Sequence, residues 1–292
     1  MTPLQVYAIM VLCARDVDVI WHDLAQPTGN PVLPPAGTAG IGYVTDAYWS
    51  AEAQLRCDDL IINKGLNSYY GLLLRCTNAF GPFSVGDYLV AVRGTMDSLE
   101  WVNDGLAEFP RSIPNVVGQV GSGFWDIYDS MTLNDLNGVV LATDAAVAIS
   151  ARVKAAAGAG PAKLFVCGHS LGAALATYLA ADLEAALKGS AVELDPYFFA
   201  SPRPGTSDFA LNYQNTVSAY SLANYAGDMV PNLPTVPPFQ ALNGGGPTHD
   251  VHLIPLNDPN APPFNLANNH SPVSYARMLD PTNPVAMALP IP

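Results

Sequence analysis

The stretch KLFVCGHSLGAALA, from Lys163 to Ala176, decides the fold of this chain. Leu164 to Cys167 is a short continuous apolar run, typical of a strand that is buried on both faces. Leu171 to Lys188 is rich in strong helix formers and has apolar residues at helical spacing. The G-x-S-x-G pattern between them has glycines that permit a sharp turn and close packing of strand on helix. The stretch therefore predicts a strand–turn–helix unit with the hydroxyl of Ser170 at its apex.

The position of Ser170 favours a nucleophile over an ordinary helix-capping serine. A hydroxyl at a helix N-terminus lies beside backbone N–H groups and the positive end of the helix dipole, which stabilise developing negative charge. The Leu171 N–H is one candidate donor to an oxyanion. An acyl-transfer enzyme needs a second donor from a loop after an earlier strand. The sequence from Asp87 to Arg93, DYLVAVR, is predicted to be such a strand, and Thr95 follows it as the candidate.

Length and charge limit the class of protein and its partners. A chain of 292 residues fits one α/β domain spanning residues 1–292. The net charge of -13, with 13% charged residues, argues against nucleic acid and anionic membranes as partners and favours a neutral or amphiphilic substrate. We expect no transmembrane span, and the N-terminus lacks the basic region of a signal peptide. As written, the chain is expected to be soluble and cytoplasmic, or extracellular if it is trimmed or exported by another route.

The four cysteines show no CxxC pair, so the sequence predicts no zinc or redox motif and implies no metal or cofactor. Cys167 is predicted to be a free buried thiol. Cys57 and Cys76 either form a bridge or remain free, and the sequence leaves both alternatives open.

Helices and strands alternate along the chain on both sides of the predicted Ser170 turn. This alternation predicts a mostly parallel sheet covered by helices on both faces. Helical patterns run over residues 2–19, 48–62, 121–131 and 141–158. Residues 96–106 also form an amphipathic pattern, in which Leu99 and Val102 share a face and Trp101 lies beside it. This segment is predicted to be either a lid over the site or an ordinary surface helix.

An acid that orients a catalytic histidine is expected in a tight turn at a strand's carboxyl end, downstream of the serine. Asp228 follows the predicted strand at residues 217–225 and fits this place. Asp250 and Asp258 are the rivals, although Asp250 falls inside a predicted strand and Asp258 in a proline-rich loop.

His270 is the predicted general base, because a polar loop there enters a final helix and leaves the ring free to reach Ser170. His249 and His252 flank a strand and are weaker candidates. His169 precedes the nucleophile and is expected to point away from it in a structural role.

Taken together, these motifs resemble the class 3 lipase family, the fungal-type lipases of the α/β-hydrolase fold. The resemblance covers most of the chain and is carried by VAVRGT, the Trp101 and Asp104 pair, the Gly123 and Phe124 pair, VCGHSLGAALA, FFASPRPGTSDFA, GDMVPNLP and HSPVSY. Two positions depart from the family pattern: Ser122 stands where a histidine is usual, and Val92 where an aromatic residue is usual.

The resemblance implies a Ser170, Asp228 and His270 triad, with Thr95 and Leu171 as oxyanion donors. It also implies that Asp104 supports the oxyanion residue and that the segment with Leu99, Trp101 and Val102 is the lid. The expected activity is triacylglycerol hydrolysis at an oil-water interface, with no protein partner implied. Hydrolysis of soluble esters, including feruloyl esters, and phospholipase A1 activity are alternatives on this scaffold. A catalytically silent interaction module is a further alternative.

Overall fold

The computed structural model describes residues 1–23, 43, 48–59, 66–94, 109–158, 160–244 and 248–291. The strands in these segments are β1 (Trp49–Asp59), β2 (Leu66–Cys76), β3 (Tyr88–Val92), β4 (Pro110–Arg111), β5 (Val120–Gly121), β6 (Thr132–Asn134), β7 (Val140–Ala142), β8 (Ala162–His169), β9 (Val192–Phe199), β10 (Gly205–Thr206), β11 (Tyr220–Tyr225), β12 (Phe239–Gln240) and β13 (His249–Ile254). The α-helices are Pro3–Asp23, Ser122–Asp129, Ala145–Ala157, Leu171–Leu187, Ser207–Thr216, Leu266–His270, Pro272–Leu279 and Pro284–Ala288, and a 3-10 turn covers Val230–Asn232.

The apolar runs of the central strands β3 and β8 are continuous because both faces of each strand are buried. They pair in parallel, and successive side chains of each strand enter different cores because the side chains of a strand alternate between its faces. Val90 and Val166 lie in one core, whereas Leu89 and Phe165 lie in the other. Each strand is therefore buried on both sides.

Nine of the strands in the described segments form one mixed sheet, in the order β13-β11-β9-β8-β3-β2-β1-β6-β7. The five strands from β13 to β3 are parallel, and the remaining strands are antiparallel. A second sheet is small, with the order β12-β10-β5-β4. Since parallel strands end together, the residues that follow β8 and β11 lie at the same edge of the sheet.

The helices cover both faces of the large sheet, as the sequence predicts. The core on one face contains residues of the helices Ser122–Asp129, Ala145–Ala157, Leu171–Leu187 and Ser207–Thr216. The core on the other face contains residues of Pro3–Asp23 and Pro272–Leu279. The helix Leu171–Leu187 follows Ser170 directly, and we call it the elbow helix. No helix in the described segments is long and apolar enough to cross a membrane.

The prediction of a helix at residues 48–62 is wrong, because the structure has strand β1 there. Its Ala, Glu, Gln, Leu and Arg residues favour a helix in isolation, but ladder pairing with β2 outweighs that preference. The strand period is visible in Ala53, Leu55 and Cys57, which are spaced by two and share one core.

All four cysteines are free thiols. In the β1–β2 hairpin, Cys57 pairs with Ser68 and Cys76 with Trp49, so the two cysteines lie near opposite ends of the hairpin. Cys57 also belongs to the core under the elbow helix and Cys76 to the core on the other face. The bridge that the sequence left open is therefore not formed.

Candidate active site

Ser170 occupies a strained turn between β8 and the elbow helix. Its backbone has φ 59° and ψ -130°, and it is one of three non-glycine residues with positive φ in the part of the chain that the structure describes. Such a conformation costs about 1–3 kcal/mol and persists only where neighbours fix it. The Ser170 N–H donates to the Phe199 carbonyl at 3.0 Å, and the Ser170 carbonyl accepts from the Ala173 N–H at 2.9 Å.

The end of β3 lies directly against this turn. A Cβ atom on Gly172 would be 2.5 Å from the Arg93 oxygen and 2.6 Å from the Val92 oxygen, so only glycine fits there. A Cβ atom on Gly94 would lie 2.8 Å from the His169 oxygen and 3.2 Å from the Ser170 Cβ. Backbone therefore packs on backbone where the predicted oxyanion loop leaves β3.

The side chains predicted to form a triad lie in hydrogen-bond contact. His270 Nε2 is 2.8 Å from Ser170 Oγ, and His270 Nδ1 is 2.8 Å from Asp228 Oδ2. A carboxylate accepts hydrogen bonds, so the Nδ1–H donates to Asp228 and Nε2 is left to accept from the serine hydroxyl. The exposed fractions are 1% for Ser170, 6% for His270 and 2% for Asp228, so the chain of bonds is shielded from water.

Asp228 is fixed by two further donors. Its Oδ1 accepts from the Val230 N–H at 3.0 Å, and its Oδ2 also accepts from the Tyr275 hydroxyl at 2.9 Å. The Tyr275 oxygen in turn accepts from the Tyr225 N–H at 3.0 Å. Burial, and next the nearby Asp228, raise the pKa of Tyr275 well above its ordinary value, which keeps the hydroxyl protonated as a donor. Tyr275 ends the HSPVSY motif, but no local pattern in the sequence marks it for this bond.

The rival residues lie outside this hydrogen-bonded group. Asp250 is exposed on β13, and Asp258 accepts from the Asn260 N–H in a turn. His249 stacks on the Tyr220 ring at 4.3 Å. His252 also lies on β13.

Arg93 fixes the peptide at the end of β3. Its Nε donates to the Tyr69 carbonyl and its Nη1 to the Gly94 carbonyl, each at 2.7 Å. Its Nη2 lies 3.5 Å from Asp59 Oδ2 in a fully buried ion pair, and its guanidinium lies 4.2 Å from the centre of the Tyr70 ring. Two antiparallel strands, β1 and β2, thus hold the residue from which the predicted oxyanion loop begins.

Several predicted residues lie outside the described segments: Thr95, Leu99, Trp101, Val102, Asp104 and the rest of the 96–106 lid segment. Leu171 is described, and it is buried as the first residue of the elbow helix. The first N–H groups of a helix have no intrahelical acceptor, so this N–H can serve a ligand. In the described segments, no group of three or more His, Cys, Asp or Glu side chains is arranged to hold a metal ion.

The ring of His169 lies against His270 and does not point away from the site. The two ring centres are 4.7 Å apart with 43° between the planes. The expectation that His169 turns away from the catalytic group was therefore wrong. The sharp turn at Ser170 places the side chain of His169 beside His270, the histidine that bonds Ser170.

Comparison with known proteins places these features in context. A family model described as Lipase (class 3) matches residues 89–237. Phospholipase A1-II 3 of Oryza sativa subsp. indica is 27% identical over 215 residues, which cover 68% of this chain and 46% of that protein. Secreted mono- and diacylglycerol lipase 1 of Fusarium solani is 31% identical over 155 residues, which cover 51% of this chain and 40% of that protein. This chain thus spans less than half the length of these curated relatives.

The crystal structure of a lipase from Rhizopus microsporus var. chinensis superposes with a TM-score of 0.57 at 19% identity, covering 80% of this chain and 70% of that chain. At this identity the likeness concerns the fold. The chain has the α/β-hydrolase fold, as its sequence predicts.

Proposed function

The chain belongs to the class 3 lipase family, and from this we propose that it is a serine carboxylic-ester hydrolase acting on triacylglycerol. The observation that carries the proposal is the bond chain from Asp228 through His270 to Ser170, with 2.8 Å at each of its two steps. A serine hydroxyl bonded to a neutral imidazole, which is itself oriented by a buried carboxylate, is an activated nucleophile.

In the proposed reaction, His270 Nε2 takes the hydroxyl proton as Ser170 Oγ attacks the ester carbonyl carbon. The Leu171 and Thr95 N–H groups stabilise the tetrahedral oxyanion. The intermediate collapses to an acyl-serine ester, and the alcohol leaves with the proton from His270. Water then attacks the acyl-enzyme with His270 again as the base, which releases the fatty acid and restores Ser170. Throughout, Asp228 stabilises the transient imidazolium and keeps its ring oriented.

The substrate proposal rests on charge and on family membership. With a net charge of -13, the protein repels anionic surfaces, whereas an uncharged acylglycerol carries no such penalty. Phospholipase A1 activity is the second candidate, because Phospholipase A1-II 3 of Oryza sativa subsp. indica carries that name and matches over 68% of this chain. We propose action at an oil-water interface for either substrate.

Ser170→Ala tests the reaction class. On a soluble nitrophenyl ester, we expect kcat to fall by about six orders of magnitude, since the nucleophile and its base act as one unit. A fluorophosphonate should label the wild type and not this variant. The matched control is Ser150→Ala, which removes a buried hydroxyl that, among the described residues, donates to the Val147 carbonyl of its own helix and to no other group. Turnover of Ser170→Ala at the wild-type rate would refute the proposal.

A substrate series tests the lipid class. Fatty-acid release should be measured from emulsified long-chain triacylglycerol, from phosphatidylcholine, and from tributyrin below and above its solubility. Triacylglycerol should be hydrolysed fastest, with a rate increase when tributyrin exceeds its solubility. Faster release from phosphatidylcholine would replace triacylglycerol by phospholipid as the substrate. Activity on soluble esters alone would refute both lipid assignments.

A further inference from the structure

His169 packs its ring against the ring of His270. Its ring centre lies 4.7 Å from that of His270, and 5.7 Å from that of Tyr275 in an edge-to-face arrangement at 82°. Only 7% of His169 is exposed. The contact is therefore fixed by the packing around the triad.

The His169 ring is held in place by packing. Its Nε2 is buried and makes no hydrogen bond with the residues that the structure describes. Burial, and next the neighbouring His270, lower the pKa of His169 well below its ordinary value, so the ring that lies against His270 is neutral.

The two hydrogen bonds of the His270 ring leave one motion unconstrained. Asp228 holds Nδ1 and Ser170 holds Nε2. Because both bonds are made at the two nitrogens, neither opposes a tilt of the ring about the line that joins them. A side chain packed against the ring opposes that tilt.

We propose that His169 is a positioning residue for the general base, holding the ring of His270 by packing against it. This inference rests on the proposed ester hydrolysis. The charged or titratable groups around the contact are His270, Asp228 and Tyr275. A neutral ring here leaves His270 free to take up the serine proton without a second positive charge 4.7 Å away.

Two variants test the ring contact. His169→Phe keeps a ring against His270, whereas His169→Ala removes it. We expect kcat on a soluble nitrophenyl ester to stay within about threefold of the wild-type value in His169→Phe and to fall about a hundredfold in His169→Ala, because misplacement of a base by about 1 Å costs that much. KM should change less than about twofold, since none of these changes touches the bound ester.

The measurement must exclude a purely structural effect. Rates should be expressed per active site, titrated with a fluorophosphonate, so that unfolded protein does not contribute. The control is His249→Ala, because His249 also stacks on a ring and bonds a backbone carbonyl, 2.9 Å from Val217, but lies outside the triad. It should lower stability and leave kcat per site unchanged. The downfield proton resonance of the His270 Nδ1–H should broaden in His169→Ala and not in His249→Ala.

Wild-type kcat per site in His169→Ala would overturn the inference, and so would equal losses of kcat in His169→Ala and His249→Ala. Failure of the reaction itself looks different. If the wild-type enzyme neither hydrolyses esters nor reacts with the fluorophosphonate, ester hydrolysis is refuted. The Nδ1–H resonance then still reports whether His169 positions His270.

Discussion

Removal of the Tyr275 hydroxyl should weaken both catalysis and folding, because this one oxygen joins two buried partners. It donates to Asp228 Oδ2 at 2.9 Å and accepts from the Tyr225 N–H at 3.0 Å. A hydrogen bond to a charged group contributes about 1.5–3 kcal/mol, and a buried N–H without a partner costs about 1–3 kcal/mol. These two free-energy contributions are not fully additive, because they share one oxygen atom. We therefore expect Tyr275→Phe to lower the free energy of unfolding by about 2–4 kcal/mol.

The effect on rate follows from the donors that remain on Asp228. Without Tyr275, the carboxylate keeps the Val230 N–H and His270 and can rotate away from His270 Nδ1. A loss of about 1.4 kcal/mol in transition-state stabilisation corresponds to a tenfold lower kcat. Tyr275→Phe should therefore show kcat reduced about tenfold on a soluble ester, with KM nearly unchanged.

The assay combines urea unfolding with steady-state kinetics, and Tyr69→Phe is its matched control. Tyr69 is as deeply buried as Tyr275, but its hydroxyl makes no hydrogen bond with the described residues. Its removal should not lower the free energy of unfolding and should raise it by up to about 1–3 kcal/mol, since a buried hydroxyl without a partner carries an uncompensated desolvation cost. Equal behaviour of the two variants would refute the role assigned to the Tyr275 hydroxyl.

Two other changes test the surroundings of the triad. Arg93→Lys should lower kcat about tenfold or more with little change in KM, because a single ammonium group cannot reproduce the separate donations to Tyr69 and Gly94. Steady-state kinetics on a soluble ester measure this, and a rise in KM alone would contradict it. Burial, and next the nearby His270, hold the pKa of His169 well below its ordinary value, so below about pH 6.5 the unfolded chain binds a proton there that the folded protein does not. The free energy of unfolding should therefore fall by about 1.4 kcal/mol per pH unit from this group as the pH drops below that value, and His169→Phe should flatten the decline. Urea unfolding at about pH 7.5 and about pH 5.5 measures the difference, and equal declines in both proteins would contradict it.

The sequence predicts the elements that carry a local signal. The apolar run before Ser170 and the alanine-rich helix after it differ in period and composition, so both elements form where expected. Asp228 and His270 could be selected because each follows a recognisable strand or loop signal along the chain. Asp228 comes near Ser170 because β8 and β11 are parallel and end at one edge, and His270 joins the two by its hydrogen bonds.

The features that the sequence analysis missed depend on contacts between distant segments. Strand β1 is composed of helix formers, and its pairing with β2 decides its conformation. Tyr275 reaches Asp228 across 47 positions of the chain, and no local pattern marks a tyrosine for such a bond. His169 was expected to point away from the nucleophile at the Ser170 turn, but its ring lies against that of His270, and no local pattern indicates this contact.

The contact between Gly94 and the Ser170 turn limits how proteins of this architecture can diverge. Since main chain meets main chain there, no side chain acts as a spacer whose size could be varied. Any single replacement of Gly94 or Gly172 adds atoms and none removes them. No point substitution at either glycine can therefore shorten the distance between Ser170 and the start of the predicted oxyanion loop. A change of substrate preference has to come from segments farther out. Directed evolution of this enzyme should accordingly leave this pair of glycines untouched and draw its diversity from the loops around them.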